Sequence, residues 1–431
     1  MIPSRPHRGE PFVSASNRRL LPLAVFALAL ALRLALIALQ YTDDLANFQT
    51  GDYTLYRIGG EHICAEGDTS NSLFLARPPL FPLLVCALGV DDRAVLVANA
   101  ITGALLAPLT IILARQLRLG PRSTVAAGLI VALDPASIAY SAFLGAEPLA
   151  NVTLLAMAVA LLHATRAAEG WRAPAWGAAA GLALALSVLS RPAPYLIWTG
   201  LSVWLVLAYR RWAVTAAYAL VSVAGIGAWI AHNASQFDNP TVSSLGAYNM
   251  VYYRAASVEN WATDDDMSTI YANLARRVEE RLGHDTARVD SNTRHTHFAG
   301  PAALTNAMMA TAIETFTDHP AEYVMTIPIG LGRMYGYTNV LPGWLTVFEI
   351  PWNALLLIGT ASGLWLALRG REWLLFWTVL LVIGYFTVGT IAVQTSGLDT
   401  RMRTMLAPFM AVAAVYALDR WLACRRAQAR A

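Results

Sequence analysis

The chain has 431 residues, of which 56% are hydrophobic and only 14% charged, against about 25% charged residues in soluble domains. Several runs reach the roughly 20 apolar residues needed to cross a hydrocarbon core, where only helices or closed barrels satisfy their own backbone. This composition excludes a soluble enzyme, and a net charge of +3 gives no ground for nucleic-acid binding. All 31 basic residues are Arg.

Residues 1–17 are polar, with Arg5 and Arg8, and Arg18 and Arg19 open the first apolar run, residues 20–39. That run exceeds the length of a signal-peptide core and no small-residue cleavage site follows, so it reads as a retained span. Basic residues before it, and Asp43, Asp44 and Asp52 after it, put the N-terminus in the cytoplasm. Residues 49–82, QTGDYTLYRIGGEHICAEGDTSNSLFLARPPLFP, then form a polar, acid-bearing outer loop. It contains an amphipathic run over 53–62, a break at Gly67, Asp68 and Ser70, and a second apolar helix after Arg77-Pro78-Pro79 that is too short to cross. Of the three cysteines, Cys64, Cys86 and Cys424, none has metal-ligand spacing. A Cys64–Cys86 disulfide requires both to lie outside, and the sequence leaves their pairing open.

Further spans are read at 94–117, 124–143, 149–165, 173–189, 195–209, 213–231, 350–368, 373–393 and 404–422. With the N-terminus inside, the even-to-odd turns carry Arg115, Arg118 and Arg122, then Arg166 and Arg172, Arg210 and Arg211, and Arg369 and Arg371. The C-terminal tail adds Arg420, Arg425, Arg426 and Arg430. Every inside turn is basic, as the positive-inside rule requires, provided residues 78–90 do not cross. The expected fold class is therefore an all-α polytopic membrane protein of about ten transmembrane helices with outer-face juxtamembrane helices. Three parts follow: residues 1–232 with the first outer loop at 41–92, an outer segment at 233–348, and membrane helices with a basic tail at 349–431. Within the outer segment, 263–281 reads as an amphipathic helix started by Asp264-Asp265-Asp266. Residues 320–337 read as an interfacial helix, with membrane re-entrance as the rival. No internal repeat of the transporter kind is evident.

This topology gathers few charges at the outer face. Asp52 follows the first span, Glu147 stands before Pro148, Arg191 before Pro192, and Arg401 and Arg403 precede the last span. A carboxylate can take the proton of an attacking hydroxyl, and guanidiniums can hold a departing phosphate. The bland readings are a helix cap for Asp52, a dipole-favoured acid for Glu147 and snorkelling for the arginines. Arg33 within the first span is read as structural despite its depth. His295 and His297 form no metal cluster with a second group, and His232 and Asn233 at the end of the seventh span either line the cleft or cap a helix.

The stretches TGDYTLYRIGGEHI and ARPPLFPLLVCALG resemble the first outer loop of GT-C glycosyltransferases of the bacterial protein-mannosyltransferase and lipid A aminoarabinose-transferase type. AFLGAEPLANVTLLAMAVALL, GLALALSVLSRPAPYL and DTRMRTMLAPFMAVAAVYAL are similar to its second outer loop, fifth span and last core span. The resemblance implies a GT-C-like bundle, a polyprenyl-phosphate sugar donor and inversion at the anomeric carbon. It implies an acceptor hydroxyl or phosphate on a lipid, glycan or protein at the outer face of a bacterial inner membrane. It places Asp52 as general base with Glu147 in support, and Arg77, Arg401, Arg403 and Arg191 at the donor phosphate. Tyr53, Tyr56, His232 and Asn233 are expected in the substrate cleft. No cofactor is assigned and the need for metal stays open; a divalent cation, if used, falls to Asp52 and Glu147, and Tyr53 stands where relatives often carry a second acid. The rival classes are a transporter or flippase of a lipid-linked or anionic substrate, which would want charges at mid-membrane, and a non-catalytic envelope scaffold.

Overall fold

The computed structural model describes residues 15–40, 52–168, 170–336, 343–393 and 400–429. Residues 41–51, which open the first outer loop, and Asp399 and Arg430 lie outside the described residues. Among the described residues all regular structure is helical. Eight helices are long and apolar enough to cross a membrane, nine if one bent pair counts as a single span.

The expected spans all find helices, but two depart from a simple rod. The third bends by 54° between Pro121–Leu133 and Pro135–Ser141. Pro135 cannot continue the hydrogen-bond ladder and pushes the residue before it to an extended conformation, and Asp134 there has φ −64° and ψ 115°. The sixth, Ile197–Tyr209, is too short to span alone and ends in a π-helical turn, Leu205–Tyr209. Residues 78–90 do not cross: their helix, Leu80–Ala87, has 8 residues.

The densest packing joins Glu147–Arg166, Arg172–Ser190 and Trp212–Phe237. Two small residues one turn apart allow it. A Cβ at Gly177 would stand 2.7 Å from the carbonyl oxygen of Val214, and one at Gly181 2.6 Å from that of Tyr218. The last helix, Ala407–Gln428, packs along Gly343–Arg369. Core residues such as Leu154, Leu161, Leu184, Tyr218, Phe386 and Phe409 form one continuous apolar interior.

The outer segment has its own small core of Tyr248, Val251, Tyr252, Leu274, Val278 and Met308. The expected amphipathic helix is Met267–Leu282, and Asp266 caps it by accepting from the amides of Ser268 (2.8 Å) and Thr269 (3.0 Å). The expected interfacial helix is Pro320–Tyr335, which packs against Ala256–Ala262, Gly343–Arg369 and Trp373–Val393. The segment grips the first outer loop through its backbone: the Ser244 amide donates to the Leu75 carbonyl (2.9 Å) and Ser243 Oγ to that of Ala76 (2.8 Å).

Within that loop, helix Tyr53–Glu66 lies against Leu80–Ala87, and a Cys64–Cys86 disulfide joins them. Closing a loop with a sequence separation of 22 constrains the unfolded chain by about 3 kcal/mol. Reduction, or Cys64→Ser, is therefore expected to lower the melting temperature of the purified protein and loosen the loop toward proteolysis. An unchanged melting temperature in reductant would refute a stabilising role.

Candidate active site

The site is assembled from five places far apart in the chain. Asp52 immediately precedes helix Tyr53–Glu66, yet its side chain makes no cap hydrogen bond, so the capping reading does not hold. The carboxylate turns to two guanidiniums instead. Arg77 Nη2 donates to Oδ1 at 2.6 Å and Arg401 Nη1 to Oδ2 at 2.8 Å. Arg77 stands before Pro78 and is held extended (φ −122°, ψ 104°), as a residue preceding proline must be. Its guanidinium lies 5.3 Å from the Tyr56 ring centroid and 5.7 Å from that of Phe298, a ring of the outer segment.

Glu147 opens helix Glu147–Arg166 with Pro148 behind it, where the helix dipole favours an anion. The preceding turn is fixed by Asn99, whose Nδ2 donates to the carbonyls of Phe143 (2.8 Å) and Gly145 (2.9 Å). A Cβ on Gly145 would collide with the Glu147 carboxylate. Glu147 Oε1 accepts from Arg191 Nη1 and from Arg401 Nε. Arg401 thus bridges both acids, while Arg191, extended before Pro192, also reaches Met402 Sδ at 3.3 Å. The Glu147 side chain is 2% exposed, those of Arg401 and Asp52 20% and 30%. The cluster is therefore buried on one side and open on the other. Counting these five residues, three guanidiniums meet two carboxylates.

Burial pushes the Asp52 carboxyl up, but Arg77, Arg401 and Arg191 more than reverse this and hold it at about 2, below its ordinary 3.8. Arg401 is opposed by burial and then secured by the Glu147 and Asp52 carboxylates, so its proton is held more tightly than usual. Because the Asp52 carboxyl is lower in the folded protein, its pairing contributes full stability above about pH 4 and loses it as pH falls toward 2. Asp52→Asn is expected to flatten that part of a melting-temperature profile against pH, and a profile identical to wild type there would disprove the pairing.

The other expected site residues differ in where they lie. Tyr56 lies beneath Arg77 and edge-on to Phe81 at 5.0 Å. Tyr53 turns away from the acids: its hydroxyl donates to Asp92 Oδ1 at 2.7 Å from a fully buried position, and it pins the loop to the second span. His232 stacks on Trp229 and shares a hydrogen bond with Thr69 Oγ1 (3.0 Å). Asn233 is buried and donates to the Thr241 carbonyl (2.8 Å). Neither makes a polar contact with the acids; His232 ties its helix to the first loop and Asn233 closes the turn that follows that helix. Arg403 is likewise separate from the Asp52–Glu147 cluster. It points into the bundle and pairs with Asp134 at 3.0 Å, both wholly buried. Arg33 is also structural, donating to the carbonyls of Ala29 (2.9 Å) and Ser137 (3.4 Å). Asn99, Asp134 and Phe298 entered no expectation. The signal for Asp134 is a charge followed by proline inside an apolar run; Asn99 and Phe298 have none.

Among the described residues no group of three or more His, Cys, Asp or Glu is placed to hold a metal ion. The Asp52–Glu147 pair does not fit one as it stands, because the Arg401 guanidinium bridges the two carboxylates.

Residues 89–239, which contain Asn99, Asp134, Glu147 and Arg191, match the family described as dolichyl-phosphate-mannose-protein mannosyltransferase. No curated protein matches the chain. Among solved structures, it is similar to the apo oligosaccharyltransferase of Archaeoglobus fulgidus, with a TM-score of 0.53 and 16% identity over 95% of this chain and 52% of that one. The chain thus spans about half the length of that relative. It is also similar to apo ArnT from Cupriavidus metallidurans, at a TM-score of 0.40 and 13% identity over 94% and 78% of the two chains. With eight or more helices long and apolar enough to cross a membrane among its described residues, the chain is an integral membrane protein, and over the part it covers it shares the fold of that oligosaccharyltransferase.

Proposed function

We propose that this protein is a membrane glycosyltransferase. It moves a sugar from a polyprenyl-phosphate donor to an acceptor on the outer face, with inversion at the anomeric carbon. The observation that carries this reading is the Arg401 bridge between Asp52 and Glu147, flanked by Arg77 and Arg191, with one positive charge in excess. A phosphodiester donor brings the missing negative charge. The lipid-linked sugar in the matching family's description supports the same donor class.

In the proposed step the acceptor hydroxyl attacks the anomeric carbon, and its proton passes to the Asp52 carboxylate. The bond from that carbon to the phosphate oxygen breaks, and the polyprenyl phosphate leaves with one more negative charge, held by Arg77 and Arg401. A carboxyl held at about 2 is a weak base. A donor phosphate that draws a guanidinium toward itself relieves Asp52 and raises its basicity, so donor binding arms the base. Glu147 keeps Arg401 and Arg191 in place.

The basic inside turns and the disulfide, which belongs to an oxidising compartment, support a site outside the cytoplasm with both termini inside. In a bacterial cell this corresponds to the periplasmic face of the inner membrane. Incubation of the protein in bilayers with radiolabelled polyprenyl-phosphate sugar and candidate acceptors tests the proposal. Label should move with wild type; failure to transfer from any such donor, with the donor bound, would favour a scaffold or flippase. Since Arg401 bridges both acids, transfer is expected to survive EDTA. Loss of activity on chelation, restored by one divalent ion, would instead assign the acids to a metal.

A further inference from the structure

Asp134 takes no part in the reaction proposed above, yet it is wholly buried where the third span bends. Its Oδ2 accepts from the Ser137 amide (2.9 Å) and Oγ (2.6 Å), capping Pro135–Ser141. Its Oδ1 accepts from Trp352 Nε1 at 3.0 Å and faces Arg403 Nη2 at 3.0 Å. Burying this pair is costly, and apolar residues of similar volume often hold helices together as well. Stability alone is therefore a poor account of it.

What the pair does join is two stretches of the site. Pro135–Ser141 leads directly through residues 142–146 to Glu147. Arg403 lies two residues beyond Arg401 in the short helix Met402–Met405. The next residue, Thr404, donates through Oγ1 to the Arg401 carbonyl (2.7 Å) and accepts from Asn151 Nδ2 (2.9 Å) in the first turns of the Glu147 helix. We infer that Asp134 is a positioning residue. A single buried carboxylate sets the Glu147 turn against the Arg401 turn and so fixes the bridge from Arg401 to Asp52. The inference rests on the transfer reading for its kinetic consequence but not for its geometric one.

The test uses the full chain in lipid bilayers with two variants. Asp134→Asn/Arg403→Met removes both charges together, and Arg403→Gln keeps a donor toward Asp134. In each, kcat is expected to fall about 10- to 100-fold, the scale set by small misplacements of reacting groups. KM for the polyprenyl-phosphate sugar should hold, while the melting temperature falls in both, because each leaves a buried charge short of a partner, Asp134 in Arg403→Gln and Arg33 in the double variant. A second readout needs no turnover. The part of the acid loss of stability that disappears in Asp52→Asn should shrink in both variants, because Arg401 has moved from Asp52. Folded variants with wild-type kcat, or with the Asp52-dependent acid loss unchanged, would overturn the inference. Failure of both to fold would make the pair a stability element and overturn it too. A wild-type protein that transfers nothing would count against the glycosyltransfer reading alone, because the acid readout still decides the geometry.

Discussion

Asp52→Asn is expected to lower kcat by about 10²- to 10⁴-fold, the range that a positioned general base contributes, while the protein still inserts and binds donor. The amide keeps the size of the carboxylate and one acceptor oxygen, but it cannot take a proton. It also leaves Arg77 and Arg401 with one less negative charge between them, so affinity for a phosphate-bearing donor should hold or rise. The expected signature is a collapse of kcat at unchanged or lower KM. Steady-state transfer from labelled donor, together with binding of the donor to the same preparation, measures it. An Asp52→Asn protein at wild-type kcat would remove the residue from the base role.

Arg401→Ala is expected to damage both stability and transfer. Arg401 donates to Asp52 and Glu147 at once, and Glu147 is almost wholly buried. Removing one partner of a buried ion pair costs about 3–5 kcal/mol, because the remaining charge stays desolvated; here Arg191 remains with Glu147 and softens the loss. Arg401→Lys should restore much of the melting temperature but little of the transfer. A single ammonium lacks the planar fork that reaches both acids. Thermal unfolding and transfer rates on the two variants decide the matter. Full activity in Arg401→Lys would show that charge without geometry suffices.

Much of this architecture can be read along the chain. Apolar runs of spanning length and the basic residues at alternate turns placed the spans, and they put Asp52, Glu147, Arg191 and Arg401 at one face. What the one-dimensional pattern does not carry is the direction of each side chain. Tyr53 and Asp52 are adjacent, yet one turns to Asp92 and the other to Arg401. Arg401 and Arg403 are two residues apart on a tight turn, and this spacing sends them to opposite acids, Glu147 and Asp134. The partner that decides each case lies 39 to 349 positions away, which no local motif encodes. The bend at Asp134-Pro135 was legible in principle: proline ends a helix, and a charge in an apolar run demands a partner.

The ion pairs also differ in how soon a growing polypeptide can make them. Asp52 and Arg77 are separated by 25 positions, Glu147 and Arg191 by 44, whereas Arg401 reaches back 349 positions to Asp52. As the chain leaves the ribosome, the early loop can be clipped by its disulfide and the Glu147 turn can form while the C-terminal spans are still unmade. The two halves meet only when the final outer turn is threaded through. A chain cut short before residue 401 therefore carries both acids without their common bridge, and the bridge forms only once that turn has been made.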